Sequence, residues 1–232
     1  AEIILRSVDF APIAALQETG DWAAMGARLN REALGLERAG AGLILLATNT
    51  MHKVADRMMA GVAIPMIHIA DATAGALVAA GHRRPALMAT AYTMEQDFYL
   101  GRLRAAGLDP LVPDEDDRAE THRIIYEELV RDVIRAESRT AYEAIAGRLA
   151  DAGADSLILG CTEVGLLLDA ENSPLPVFDT VEIHCDAAMN MALRGRGAAP
   201  APAAVGQAGD DAVGDAGGDA GGDAGDDAGA AA

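Results

Sequence analysis

The chain has 232 residues, 51% of them hydrophobic, and 36 Asp or Glu against 18 Lys or Arg give it a formal net charge of −18. That size suits one large or two small α/β domains with a substantial core, and the acidic balance lacks the clustered basic surface that nucleic acid demands. No run approaches the roughly 18–20 apolar residues of a membrane span, no signal-peptide pattern opens the chain, and the two cysteines, Cys161 and Cys185, suit reduced cytoplasmic thiols better than a disulfide framework.

Short apolar runs alternate with helical patterns, the signature of a parallel α/β architecture. A strand is expected at Glu2–Val8, a helix over Trp22–Ala39, a strand at Gly42–Ala47 and a helix over Met51–Ala60. Ile64–Ile69 reads as a strand, Ala70–Ala80 as a helix, Pro85–Thr90 as a strand and Met94–Ala106 as a helix. A short strand at Pro110–Val112 precedes helices over Glu115–Asp132 and Glu137–Ala152. Strands at Ser156–Gly160 and Leu175–Phe178 then lead into a last helix over Val181–Leu193. The chain starts at Ala1 and enters a strand at once, as though a leader or an N-terminal βα unit had been removed. Beyond residue 198 the composition changes to Ala, Gly, Pro and Asp, with seven aspartates and repeated Asp-Ala-Gly units. Such a segment cannot bury enough apolar surface to offset its ordering entropy, and disorder is expected there.

In parallel α/β sheets, ligands bind beyond the carboxyl ends of the strands, so functional side chains are sought just after each strand. Two strand ends resemble each other. Leu43-Ile-Leu-Leu-Ala-Thr48-Asn49-Thr50 runs into a helix, and Leu157-Ile-Leu-Gly-Cys161-Thr162-Glu163 does the same. This looks like an internal duplication, which would set Thr48 and Cys161 on opposite sides of one cleft. A thiol of ordinary pKa about 8.5 becomes more acidic at a helix N-terminus, and Cys161 stands between a strand and an expected helix. Its plain alternative is a buried structural cysteine. Asn49, Thr50 and Thr162 carry amide and hydroxyl groups suited to holding a carboxylate at helix N-termini. Cys185 falls inside the last helix, away from any strand end. His52 lies one turn after Thr48, within reach of a proton relay, with helix packing as its plainer role. None of the five histidines shows spacing that calls for a metal.

The chain resembles the aspartate/glutamate racemase family, within the aspartate/glutamate/hydantoin racemase group, almost continuously from Ala1 to about Arg194. The strings that carry the resemblance are Ser7-Val-Asp-Phe10, Ala47-Thr-Asn-Thr-Met-His-Lys-Val-Ala-Asp56 and His68-Ile-Ala-Asp-Ala-Thr73. Further on come Tyr92-Thr-Met-Glu-Gln-Asp-Phe-Tyr99, Ile125-Tyr-Glu-Glu-Leu129, Gly160-Cys-Thr-Glu163 and Val177-Phe-Asp-Thr180. The resemblance implies two pseudo-symmetric parallel-sheet α/β domains with the active site between them, no cofactor and no metal, and a homodimer. The first domain would comprise residues 1–81 and 179–197, the second 82–178, and the acidic tail 198–232.

On the same resemblance, Cys161 and Thr48 are the opposed acid/base groups. Asn49, Thr50 and Thr162 hold the α-carboxylate and amino group of an acidic amino acid. Thr90 and Thr93 form the second domain's substrate loop, Gln17 stands near the substrate, and Arg131 is the candidate cation for the side-chain carboxylate. Glu163 occupies a place where glutamate racemases carry a histidine, which favours the aspartate branch. The sequence departs from the family pattern in Thr48, where two-cysteine members have cysteine. Members with this threonine form a recognisable subgroup. It departs again in Ala89-Thr-Ala91, where relatives have Gly and Arg, and in lacking the usual opening strand and glycine-rich loop. Two other readings stand beside racemisation: a single-cysteine decarboxylase or isomerase of the same superfamily, and a degenerate protein that only binds acidic amino acids.

Overall fold

A computed structural model describes residues 2–196, and the acidic segment expected to be disordered lies outside the described residues. The centre is a parallel sheet of β1 (Pro85–Met88), β2 (Ser156–Leu159) and β3 (Val177–Asp179), in the order β1-β2-β3. Met88 pairs with Leu159, and Leu159 with Asp179. Every residue of β1 and β2 is buried, as a parallel sheet covered on both faces requires.

Alternation along the strands divides the core. Ala86, Met88, Leu157 and Leu159 face Ile124 and Ile125 of α7 (Glu115–Glu127) and Tyr142, Ile145 and Leu149 of α8 (Ala136–Asp151). Leu87 and Ile158 face Ile69, Ala74 and Leu77 of α4 (Ile69–Ala79) and Tyr99 and Leu103 of α6 (Asp97–Ala105). A separate cluster in the N-terminal part joins Ile13 of α1 (Phe10–Glu18), Met25 and Leu29 of α2 (Trp22–Arg38), and Ile44, Met51 and Met58. The last helix, α9 (Thr180–Arg196), packs chiefly against α4. No helix among the described residues is long and apolar enough to cross a membrane.

Several expected elements change form. Glu2–Val8 makes no strand. Ile3 and Leu5 are 83% and 84% exposed, Arg6 pairs with Glu32, and no backbone group of the segment enters a ladder. A strand exists only where a neighbour takes up its N–H and C=O groups, and apolar alternation alone supplies none. Gly42–Ala47 and Ile64–Ile69 shrink to a single parallel bridge, Ile44 to Met66, and Pro110–Val112 to one between Leu111 and Ala86. Gln96, in extended backbone (φ −108, ψ 147), splits the expected Met94–Ala106 helix into α5 (Ala91–Glu95) and α6. The Met51–Ala60 helix becomes a 3-10 turn, Thr50–Val54, followed by α3 (Ala55–Met58). The Glu115–Asp132 helix ends at Glu127 and continues only as the 3-10 turn Leu129–Arg131. Helix α1 is not foreseen by the periodicity. Its signal is Asp9, whose carboxylate accepts from the Ala11 N–H at 3.1 Å, the usual work of an N-cap aspartate.

Ile158 is fully buried at the centre of the sheet. Ile158→Ala is expected to cost about 2–4 kcal/mol of unfolding free energy, the range for deleting a buried aliphatic side chain. Urea denaturation of the two proteins checks this, and a loss below about 1 kcal/mol would place Ile158 outside a packed core.

Candidate active site

Because Met88 and Leu159 are paired, β1 and β2 leave the sheet side by side, and two residues beyond each stand Thr90 and Cys161. Neighbouring strands lie about 4.8 Å apart, so the two side chains begin as neighbours. Gly160 permits this closeness. Its N–H donates to the Met88 carbonyl at 2.8 Å, and a Cβ on it would come within 2.6 Å of Leu87 and 2.8 Å of the Ala89 methyl. Thr90 occupies the N-cap position of α5 without a side-chain capping bond, and its hydroxyl lies 3.2 Å from that of Thr93 and 3.2 Å from that of Thr50. Thr50 to Thr93 is 3.4 Å. Three buried hydroxyls from two separate loops thus form one donor cluster.

The Cys161 S–H donates to the Glu163 carboxylate at 3.0 Å. Here the structure corrects the expectation of a thiolate stabilised by a helix N-terminus. Cys161 leads into a turn and then the three-residue 3-10 segment Val164–Leu166, too short to carry a macrodipole. Burial and the Glu163 charge push the thiol far above its ordinary range, against the backbone N–H groups of Glu163 and Thr162, which favour the thiolate. The pair therefore holds its proton on sulfur. Tyr126 packs against the same cluster as Cys161. Burial first, then the Tyr92, Cys161 and Glu163 charges, raise the Tyr126 hydroxyl to about 12. The Thr162 side chain is exposed.

Thr48 stands partly buried at the end of the Ile44 segment, on the rim of an apolar cavity of about 310 Å³ that Ile13, Leu29 and Met58 also line. Asn49 is buried, and its amide donates to the Thr180 hydroxyl at 3.1 Å. Gln17 is buried on α1. The side-chain oxygens of Gln17 and Asn49 make no hydrogen bond among the described residues. Arg131 is exposed in its 3-10 turn and forms no ion pair among the described residues. It is not hydrogen-bonded to any other residue of the predicted set. A second cavity of about 220 Å³, lined by Glu120, Arg123, Glu128 and Arg135, is a network of mutual ion pairs. Cys185 is exposed on α9.

His52 has no capacity left for a relay. The Ile69 N–H donates to its Nε2 at 3.2 Å, so the ring proton sits on Nδ1, which donates to the Thr48 carbonyl at 2.7 Å. Its ring centroid is 4.5 Å from that of His68 and 5.5 Å from that of His184. His68 Nδ1 accepts from the Ala70 N–H, and His184 Nε2 donates to the Ile67 carbonyl at 2.8 Å. Sequence reasoning missed these two histidines and Thr180. Thr180 lay in view within Val177-Phe-Asp-Thr180, but a threonine opening a helix reads as a cap.

Fold and site together define an α/β protein with a polar site at the carboxyl ends of its parallel strands. The chain belongs to the Asp/Glu/hydantoin racemase family, whose model matches residues 1–188. It is similar to the structure of a candidate Asp/Glu racemase from Yersinia pestis, with 46% identity and a TM-score of 0.78 over 83% of this chain and 84% of that one. An aspartate racemase homologue from Pyrococcus horikoshii OT3 shares 34% identity, with a TM-score of 0.73 over 83% and 84% of the two chains. The broad specificity amino-acid racemase RacX of Bacillus subtilis is 24% identical over 150 residues, 64% of this chain and 63% of that protein. The α/β class expected from the sequence is the class of these solved structures.

The histidine cluster sets a pH dependence. Burial is the main cause that holds both His52 and His68 down at about 3, and it also lowers His122 and His184. In the unfolded chain each imidazole returns to about 6.5. Between those values the unfolded state binds more protons, so stability is fully present above about pH 6.5 and is lost as pH falls toward 3. The thermal midpoint is expected to drop steadily from pH 7 to pH 4.5. A midpoint that stays level across that window would contradict the neutral, buried cluster.

Proposed function

We propose that the protein racemises an acidic amino acid, aspartate or glutamate, without a cofactor. Cys161 exchanges the Cα proton on one face and Thr48 on the other. The observation that carries this reading is the thiol–carboxylate pair at 3.0 Å, two residues beyond β2, with Thr90 of the Thr50, Thr90 and Thr93 hydroxyl cluster two residues beyond the paired end of β1. Family membership and the similarity to amino-acid racemases support it.

Each group then has a task suited to its chemistry. The hydroxyl cluster and Thr162 donate to the α-carboxylate, where negative charge builds as Cα loses its proton. The buried oxygens of Asn49 and Gln17 are acceptors suited to the α-ammonium. Arg131 takes the side-chain carboxylate, an assignment that suits a guanidinium with no ion pair among the described residues. Glu163 is the immediate proton acceptor that lets Cys161 act as a base. The proton moves from sulfur to the carboxylate along the hydrogen bond already formed, and the incoming ammonium balances the charge. Returned to sulfur, that proton is available for delivery in the reverse direction. The homodimer and the cytoplasmic location belong to the same reading.

Cys161→Ala is expected to abolish solvent-deuterium exchange at Cα of L-aspartate and L-glutamate, followed by proton NMR in heavy water. Cys185→Ala, on the exposed face of α9, is expected to leave it within about twofold, as for a surface change far from the chemistry. Exchange persisting in Cys161→Ala at wild-type rate would remove Cys161 from the mechanism.

The two faces are chemically unequal, because a threonine hydroxyl is a far weaker acid/base than a tuned thiol. L-substrate, whose α-proton faces Cys161 on this reading, is expected to exchange at least about tenfold faster than D-substrate. Thr48→Cys is expected to raise exchange of the D-enantiomer. Equal initial rates for both enantiomers in the wild type would sink this assignment of faces.

A further inference from the structure

Two loops must hold Thr48 and Cys161 at a fixed separation, and one side-chain atom bonds the residue after Thr48 and the strand end before Cys161. Thr180, at the first position of α9, is completely buried. Its hydroxyl donates to the Leu159 carbonyl at 2.8 Å and accepts from the Asn49 amide at 3.1 Å. Leu159 closes β2, two residues before Cys161, and Asn49 follows Thr48 directly. One hydrogen-bonded path between the two reacting side chains therefore runs from Leu159 through Thr180 Oγ1 to Asn49, and a longer one passes through the Thr50 and Thr90 hydroxyls and β1. The far end is fixed as well. His52 holds the Thr48 carbonyl at 2.7 Å and is itself held by the Ile69 N–H of α4.

Resting on the racemase reading above, we propose that Thr180 is a positioning residue that sets the separation of Cys161 and Thr48. An apolar side chain of the same shape would leave the Leu159 carbonyl and the Asn49 amide without this shared partner, and buried polar groups so left seek new geometry. Its effect on the two processes at Cα differs. Exchange with retention needs the substrate and the Cys161 face only. Inversion needs both faces at once and is sensitive to errors of about 1 Å in placement.

The test measures deuterated L-aspartate and deuterated D-aspartate formed from L-aspartate in heavy water, with the wild type, Thr180→Val and Thr180→Ser. In Thr180→Val the ratio of inversion to retained exchange is expected to fall about tenfold or more, through kcat more than KM. Thr180→Ser, which keeps the hydroxyl, is expected to recover the ratio to within about threefold. If circular dichroism shows that the valine variant does not fold, Thr180→Cys, close in shape and a weak donor, carries the same expectation. A ratio unchanged in the variant, both processes falling together, or no recovery with serine would each overturn the positioning role. Absence of any exchange in the wild type would instead overturn the racemase reading, and this inference with it.

Discussion

Because β1 and β2 run parallel and in register through Met88 and Leu159, the chain segments that leave them emerge together on one edge of the sheet. That edge holds Thr90 and Cys161, and β3, paired with β2 through Leu159 and Asp179, brings Thr180 to it one residue further on. A slip of one residue would turn every side chain to the opposite face and send Leu87 and Ile158 into the wrong half of the core. The alternation that fills the two cores therefore also fixes which residues reach the site. Gly160 completes the constraint, since any Cβ there would push the Cys161 strand end away from β1.

The loop around Thr48 has no such sheet to hold it, only the single Ile44–Met66 bridge. Side chains take over instead. His52, His68 and His184 each bond a backbone group, and burial keeps their rings neutral. A buried polar group left unsatisfied costs about 1–3 kcal/mol, so such a cluster persists only while its bonds are made. His52 thus does for this loop what ladder hydrogen bonds do for β2, while His68 and His184 hold the neighbouring segment from Ile67 to Ala70. This explains why a ring one turn from Thr48 is structural and not a relay.

Most of the helices and the three strands were legible in the sequence because they obey local rules, whereas Thr90 and Thr93 were singled out by resemblance alone. Period-two and period-3.6 patterns mark the elements, and strand ends mark the site. The expected strands at Glu2–Val8 and Gly42–Ala47 were not recoverable in this way, because pairing is decided by a distant neighbour and not by the run itself. The break at Gln96 and the 3-10 geometry of Thr50–Val54 are likewise set by packing. The state of the Cys161 thiol is hidden from the sequence for a related reason. A strand followed by polar residues suggests a helix N-terminus, but Leu166 and Leu167 are drawn into a short turn whose dipole is negligible, and Glu163 turns back onto the sulfur. Thr180 stays hidden because its partners lie 21 and 131 positions away in the chain.

These contacts create an electrostatic asymmetry. Cys161 shares its proton with a carboxylate in a buried setting, so the group it can release or accept is defined by its neighbour. The Thr48 hydroxyl has no ionisable partner among the described residues; the residue lines an apolar cavity, its carbonyl is held by His52 and the next residue's amide by Thr180. On the proposed reading, the Cys161 face gains its competence from proton affinity tuned by Glu163. The Thr48 face cannot gain it that way, because no nearby charge brings a threonine hydroxyl into a useful range. That face is left with placement, which accelerates reaction by holding groups close and aligned without altering their acidity. The dense anchoring of Thr48, at its own carbonyl and at the next residue's amide, is the form that such a dependence on placement would take.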